Sequence, residues 1–266
     1  MSFKRFTTIF KAMKAKEIAA VIERFAPLAT QEEWDNAGFC IGSPEQEIHG
    51  VLVGFDCTPE LVDEALAKGA DMIVTHHPLI FGGLKKIDPA DFVGETVIKA
   101  IRAGIVVYSA HTNADKADGG VTALMASRLG LRDVRPLVES NLAQIGALPE
   151  PMPVVDFIAF VKKAFGLQMV RVSGTGNGKI SCVGLCGGSG SEFIPNARKA
   201  GADAFLTGDI SYHRFFGDKS LLVMDIGHYE SEVAIVDKFL SLLKDNFPTF
   251  ALHASTNTNN NPIHYY

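Results

Sequence analysis

Apolar positions recur along this chain at two different periods. Ile18, Val21, Ile22 and Phe25 share one face at helical spacing, which predicts a helix over 14–25 that Pro27 ends. Short unbroken apolar runs then alternate with further helices. Gly50-VLVGFDC reads as a buried strand, rich in β-formers and flanked by turn residues. Thr58 is placed to cap the following helix, with Pro59 in its first position and Gly69 closing it after Lys68. Asp71-MIVTHH is the next strand, 94–103 a helix and Gly104-IVVYSAH a third strand. Strand alternating with helix predicts a mostly parallel sheet covered by helices.

The second half repeats the theme. Ile180-SCVGLCGG is a strand ending in glycines, 192–200 a helix, and Gly201-Ala202-Asp203-AFLT a strand resembling Gly69-Ala70-Asp71-MIVT. Leu221-LVMDIGH resembles Ile105-VVYSAH, and the two halves continue as His111-x3-Asp115 and His228-x3-Glu232. This is the pattern of an internal duplication. It predicts two similar α/β lobes with mostly parallel or mixed sheets covered by helices. The first lobe is expected over 1–130 and 227–266, carrying most of the metal ligands, and the second over 131–226. Residues 141–179 read as a connection plus one helix over 155–165. The Asn/Thr-rich stretch 255–261 reads either as a disordered end or as a loop leading to a final strand at 263–266.

Composition narrows the class. The chain has 266 residues, 47% hydrophobic and 21% charged, which fits a globular protein with a sizeable core. Net charge is −5 and no basic run stands out, so nucleic acid is not indicated as a partner. No stretch reaches the roughly 20 apolar residues of a membrane helix. The basic start MSFKRFTTIFKAMKAKE lacks the apolar core of a signal peptide and reads as a short leader before the first helix. Four cysteines without a CxxC pair suit a reducing cytoplasm. Cys182 and Cys186, four apart in a strand, are expected on one face as structural thiols.

The candidate chemistry sits after strands. His76 and His77 follow 72–75, Asp115 follows 105–110, and His228 and Glu232 follow 221–226. Open α/β sheets bind ligands at these carboxyl ends. Adjacent histidines in extended backbone point apart, which suits two neighbouring ions, one per ring. Asp115 and Glu232 supply the negative charge that histidines lack. Singly, each residue has an ordinary reading: Asp115 as a helix cap, His228 and Glu232 as a helix-face pair. Converging from three strand ends, they predict a centre of two divalent ions, with Zn, Fe, Mn, Co or Ni suiting the donors. His111 is either an added ligand or a partner that orients one. Asp209 and His213 act on substrate, orient ligands or satisfy an interface. Glu230 is expected to face solvent. Trp34-Asp35-Asn36 either lines the cleft or forms a capped turn. Gly187-Gly188-Ser189-Gly190 either cradles a phosphate or is a flexible turn.

Glu33-WDNAGFCIG, Val53-GFDCTPE, Gly69-ADMIVTHHPLIF, Ser109-AHTNAD, Leu206-TGDISYH, Asp225-IGHYESE and Asn261-PIHYY together resemble the GTP cyclohydrolase 1 type 2 homologue, or NIF three-like, family. The resemblance implies five ligands at His76, His77, Asp115, His228 and Glu232, with Glu232 bridging two ions. It also implies two similar three-layer α/β/α lobes with a metal cleft between them, a ring-shaped homohexamer and the compact form without an inserted domain. The family's pattern starts near Met13, which makes 1–12 an extension or a misassigned start. Phe39 stands where the family often has Leu. The family name points to ring opening of a nucleotide-like small molecule by a metal-dependent hydrolase. The alternative is a non-catalytic scaffold for metal binding, delivery or regulation.

Overall fold

Residues 12–174, 176, 178–217, 219–256 and 261–266 are described by a computed structural model. Its elements begin with β1 (Met13–Lys14), α1 (Ala15–Phe25), β2 (Gly38–Ile41), β3 (Glu47–Ile48), β4 (Gly50–Val53), α2 (Pro59–Lys68), β5 (Met72–Thr75), α3 (Phe92–Ala103) and β6 (Val106–Ser109). Next come α4 (Thr112–Lys116), α5 (Val121–Arg128), β7 (Arg132–Pro136), β8 (Ala143–Pro153), α6 (Val154–Phe165) and β9 (Arg171–Ser173). The chain continues through β10 (Lys179–Ser189), α7 (Ile194–Lys199), β11 (Ala204–Gly208), β12 (Leu222–Asp225), α8 (His228–Glu232), α9 (Ala234–Asn246) and β13 (Ala251–Ala254). Contacts divide it into two units. Of the described residues, 12–28, 32–111 and 236–256 form the first, and 29–31, 112–235 and 261–266 the second.

The first unit holds the five-stranded sheet β13-β4-β5-β6-β2. β13, β4, β5 and β6 run parallel, and β2 closes the edge antiparallel to β6. Successive side chains alternate between its faces. Leu52, Ile73 and Val107 pack with Leu61, Val62 and Ala65 of α2 and with Val97 and Ala100 of α3. Tyr108 points to the other face and donates to Glu23 of α1 at 3.1 Å, while Phe25 of α1 meets Lys238 of α9. Helices therefore cover both faces. Local signals set the ends. Thr58 Oγ1 accepts from the Leu61 amide at 3.1 Å, and Gly69 closes α2 at φ +68°. Helix α3 starts at Phe92, two residues before the expected position, because Asp91 caps it by accepting from the Gly94 amide.

The second unit holds the mixed six-stranded sheet β7-β8-β10-β11-β12-β9. Its β10-β11-β12 core is parallel, with β9 antiparallel at one edge and β8 and β7 antiparallel on the other side. Three parallel strands followed by an antiparallel edge strand is also the order β4-β5-β6-β2 of the first sheet. One face packs under α5 and α6 through Met125, Leu129, Phe157 and Val161, the other under α7 through Ala197 with Phe205 and Val223. Cys182 and Cys186 share that second face, as their spacing predicts, and both are free thiols.

Several expectations need correction. The units divide at 111/112 and 235/236 instead of 130/131 and 226/227. Met125, Ala126 and Leu129 belong to the second unit's core, and the Gly188 amide at the end of β10 donates to Ser231 of α8. The second unit therefore carries three of the five expected ligands. Residues 141–179 contain β8 and β9 as well as the helix. Pro149, Pro151 and Pro153 obscure β8, but they lie beyond the stretch that β7 pairs, where a missing N–H breaks no ladder on that side. The last strand is β13, and 263–266 has no regular structure. Residues 1–11 of the proposed leader and 257–260 of the Asn/Thr-rich stretch lie outside the described residues. Among the described residues, no helix is long and apolar enough to cross a membrane.

Candidate metal centre

Each unit gathers polar side chains at the carboxyl ends of its parallel strands, where such sheets bind ligands. In the first unit, β5 runs out at Thr75 into His76 and His77, and β6 runs out at Ser109 toward His111. The three rings converge: one ligand atom from each lies within 4.8 Å of the others, close enough to hold a metal ion. An oxygen acceptor meets Nδ1 of every ring. His76 donates to the Ala110 carbonyl at 2.9 Å, His77 to the Asp56 carboxylate at 2.7 Å and His111 to the Asp35 carboxylate at 2.9 Å. With Nδ1–H committed, a neutral imidazole carries its lone pair on Nε2. This is how proteins orient metal-binding histidines and raise their basicity.

Aromatic rings line the group. Phe55 stacks on His76 at 5.7 Å between centroids and meets His77 edge-on at 4.6 Å. Trp34 and Phe81 lie 6.0 Å and 5.5 Å from His111. His76 is fully buried. This apolar rim lowers the local dielectric, which strengthens the rings' hold on their acceptors.

In the second unit, α8 starts one residue after Gly227 and places His228 and Glu232 at its two ends. Their side chains meet one turn apart, His228 Nε2 to Glu232 Oε2, at 3.0 Å. Asp209, in the left-handed region at φ +51° just beyond β11, accepts from His228 Nδ1 at 2.7 Å. Burial disfavours charge on His228, but Asp209 and Glu232 outweigh it and push the imidazole up to about 10. The same bond from His228 holds Asp209 below its ordinary value. Glu232 is 4% exposed, and Gly188 at φ +55° passes so close to it that a Cβ would collide with the carboxylate. Asp115 lies in α4. The Cys186 thiol is pushed well up, first by burial and then by the charges of Asp115, Glu192 and Glu232.

The sequence reading and the structure agree on where these side chains emerge. His111 joins His76 and His77, and Asp209 orients His228. His213 joins neither group. Its ring packs among exposed Tyr212 and Phe216. Glu230 accepts from Asn261 Nδ2 at 2.9 Å instead of facing solvent unused. Trp34-Asp35-Asn36 borders the first unit's ring group, with exposed Trp34 6.0 Å from His111 and Asp35 accepting from His111 Nδ1 at 2.9 Å and from the Asn36 amide at 2.7 Å. Asp56 was missed. Its signal was a carboxylate three residues past the end of β4. The glycines at the end of β10 are no phosphate cradle: the amides of Gly187, Gly188 and Gly190 donate to the hydroxyls of Thr122, Ser231 and Thr207.

Residues 13–262 match the model of the Duf34/NIF3 (NGG1p interacting factor 3) family. A Clostridium acetobutylicum protein named GTP cyclohydrolase 1 type 2 homolog is 33% identical over 230 residues, covering 83% of this chain and 86% of its own. The Clostridium perfringens protein of that name is 34% identical over 241 residues, covering 88% and 92%. Among solved structures, the Staphylococcus aureus hypothetical protein SA1388 superposes with a TM-score of 0.87 at 28% identity, over 96% of this chain and all of that one. With a match running almost from end to end, the chain belongs to the Duf34/NIF3 family.

Proposed function

We propose that the protein is a two-metal hydrolase of a nucleotide-like small molecule, with His76, His77, Asp115, His228 and Glu232 as ligands and Glu232 shared by both ions. One observation carries the reading: each histidine of the set has its Nδ1 held by an oxygen acceptor. In a neutral ring that arrangement leaves the Nε2 lone pair free to bind and fixes its direction, and at His228 a metal ion would take the place of the proton now facing Glu232. When bound, two divalent ions supply Lewis-acid activation of a water and of the bond it attacks. Asp115 and Glu232 provide the anionic charge, and imidazole with carboxylate suits Zn, Fe, Mn, Co or Ni better than Ca or Mg. Asp56 and Asp209 orient the ligands His77 and His228, and Asp35 positions His111 beside His76 and His77. Ring opening as the reaction rests on the name of the relatives, and the hexameric ring on resemblance.

The test is metal analysis of the purified protein beside a hydrolysis screen of nucleotides, with Glu232→Ala as the control. About two ions per chain, with turnover abolished in the variant, is the expected result. Full metal content in the variant would remove Glu232 from the ligand set. Burial of His76 and Glu232 favours a second reading, a scaffold that stores or delivers metal. It predicts two ions and no turnover of any nucleotide.

A further inference from the structure

A pocket of about 280 Å³ opens in the second unit at the carboxyl ends of β11 and β12. Arg171, Asp209, Asp225 and His228 bring its polar groups, and Met169, Val170 and Ile263 its apolar wall, beside Tyr265. We propose that this pocket binds the oxyanion of a small molecule, a carboxylate or phosphate group, through Arg171, with Tyr265 and the apolar wall holding the rest of the ligand.

Arg171 is built as a receptor. Its Nη2 donates to the buried Asp225 carboxylate and to the Ile210 carbonyl, the latter at 3.0 Å. Asp225 is itself fixed, accepting from the amides of Ile210 and Gly227, both at 3.0 Å. The guanidinium also lies 5.3 Å from the centroid of Phe215. These contacts pin one nitrogen of the group. Among the described residues, Nε and Nη1 make no hydrogen bond to protein, and the side chain is 60% exposed. A guanidinium fixed at one nitrogen and open at the others is preorganised for bidentate contact with an oxyanion. The acids nearby do not favour a cation instead, because Asp225 is spent on Arg171 and two amides, and Asp209 on His228.

The chain's last residues complete the pocket. Asn261 donates to Glu230 at 2.9 Å and accepts from the Ile263 amide at 3.0 Å, which sets Ile263 and Tyr265 into the wall. This gives the Asn261-PIHYY motif a task that the metal ligands leave unexplained. His228 belongs both to this pocket and to the proposed centre. The inference rests on the two-metal reading only for that adjacency, which makes the oxyanion the part of the substrate held beside the reacting bond.

The experiment is calorimetric titration of inorganic phosphate, acetate and a nucleoside monophosphate into the purified full-length protein, with metal content measured in every sample. The variants are Arg171→Gln, Arg171→Lys and Tyr265→Ala. At least one oxyanion should bind, and Arg171→Gln should weaken it about tenfold or more at unchanged metal content. The tighter of phosphate and acetate identifies the anion, and tighter binding of the nucleotide than of phosphate, reversed by Tyr265→Ala, supports the apolar wall. If Arg171→Gln does not fold, Arg171→Lys, which keeps the charge but not the fork, should still weaken binding. Failure of all three probes to bind, or equal binding by wild type and the Arg171 variants, as for an anion seated on the metals, would overturn the proposal. A wild type without metal that still binds through Arg171 would sink the two-metal reading and leave this one standing.

Discussion

The three rings of the first unit and the single ring of the second solve the same problem differently. His76, His77 and His111 each donate one Nδ1–H to an oxygen, a carbonyl in one case and a carboxylate in two. His228 lies between two carboxylates, Asp209 on Nδ1 and Glu232 on Nε2. In the absence of metal, a proton on His228 occupies the place beside Glu232 that a cation would take. The difference teaches how charge is balanced. In the first unit Asp56 and Asp35 each face a different ring, whereas in the second Asp209 and Glu232 share one ring and must be neutralised there, by a proton or by metal.

The comparison breaks most visibly if a ligand is taken from each side. His77→Ala and His228→Ala should each lose at least one ion per chain by elemental analysis, with the far-ultraviolet dichroism unchanged. Full metal content in either variant removes that histidine from the ligand set. A subtler cut spares the ligands and removes their orienting acids. Asp56→Asn and Asp209→Asn should weaken metal binding roughly 10- to 100-fold in a chelator competition. If only the Asp209 change matters, the first unit's rings are held by packing alone. Gly188→Ala should cost about 1–3 kcal/mol in denaturant unfolding, since a side chain at its φ of +55° is strained and strikes Glu232. Among the described residues no glycine of the first unit has an atom of His76, His77 or His111 among its closest neighbours, so this strain bears on a proposed ligand only in the second unit.

Protons sharpen the contrast. The folded pKa of His228, about 10, lies above its ordinary 6.5. Its pairing therefore stabilises the metal-free protein fully below that ordinary value and is lost as pH rises through about 10. Metal uptake near neutral pH should release about one proton from this group, seen as a buffer-dependent binding enthalpy. The smallest effect lies where the first unit ties down the end of β13. Burial alone would raise Glu64, but bonds from Ser255, Thr256 and Lys68 hold it down to about 2. That tether is intact above the ordinary 4.5 and is lost as pH falls through about 2. Hydrogen exchange at 251–256 should therefore speed up between those values in wild type, whereas Glu64→Gln should exchange fast at both.

Much of this was legible in the chain because its signals are local. Thr58, Pro59 and Gly69 mark a helix by backbone requirements that hold wherever it packs, and the unbroken apolar runs 72–74 and 204–206 mark strands buried on both faces. The position of His76, His77 and His228 just past strand ends followed from the same pattern. What escaped was non-local. β13 is only four residues long and earns its place by pairing with β4, nearly 200 positions earlier in sequence. β8 is masked by prolines whose harmlessness depends on where β7 stops. The unit boundary depends on which core Met125 and Leu129 enter.

The sequence by itself determined the order of strands and helices and which side chains leave the strand ends, because these follow from residue type and spacing along one segment. Tertiary structure alone decided that Asp56 and Asp35 hold His77 and His111, that Gly188 yields its side chain's space to Glu232, and that Arg171 stands pinned beside His228. Those pairings join residues 21 to 76 positions apart in the first unit and about 40 or more in the second. Only the folded backbone brings such distant atoms within the few ångströms over which hydrogen bonds and steric contact act.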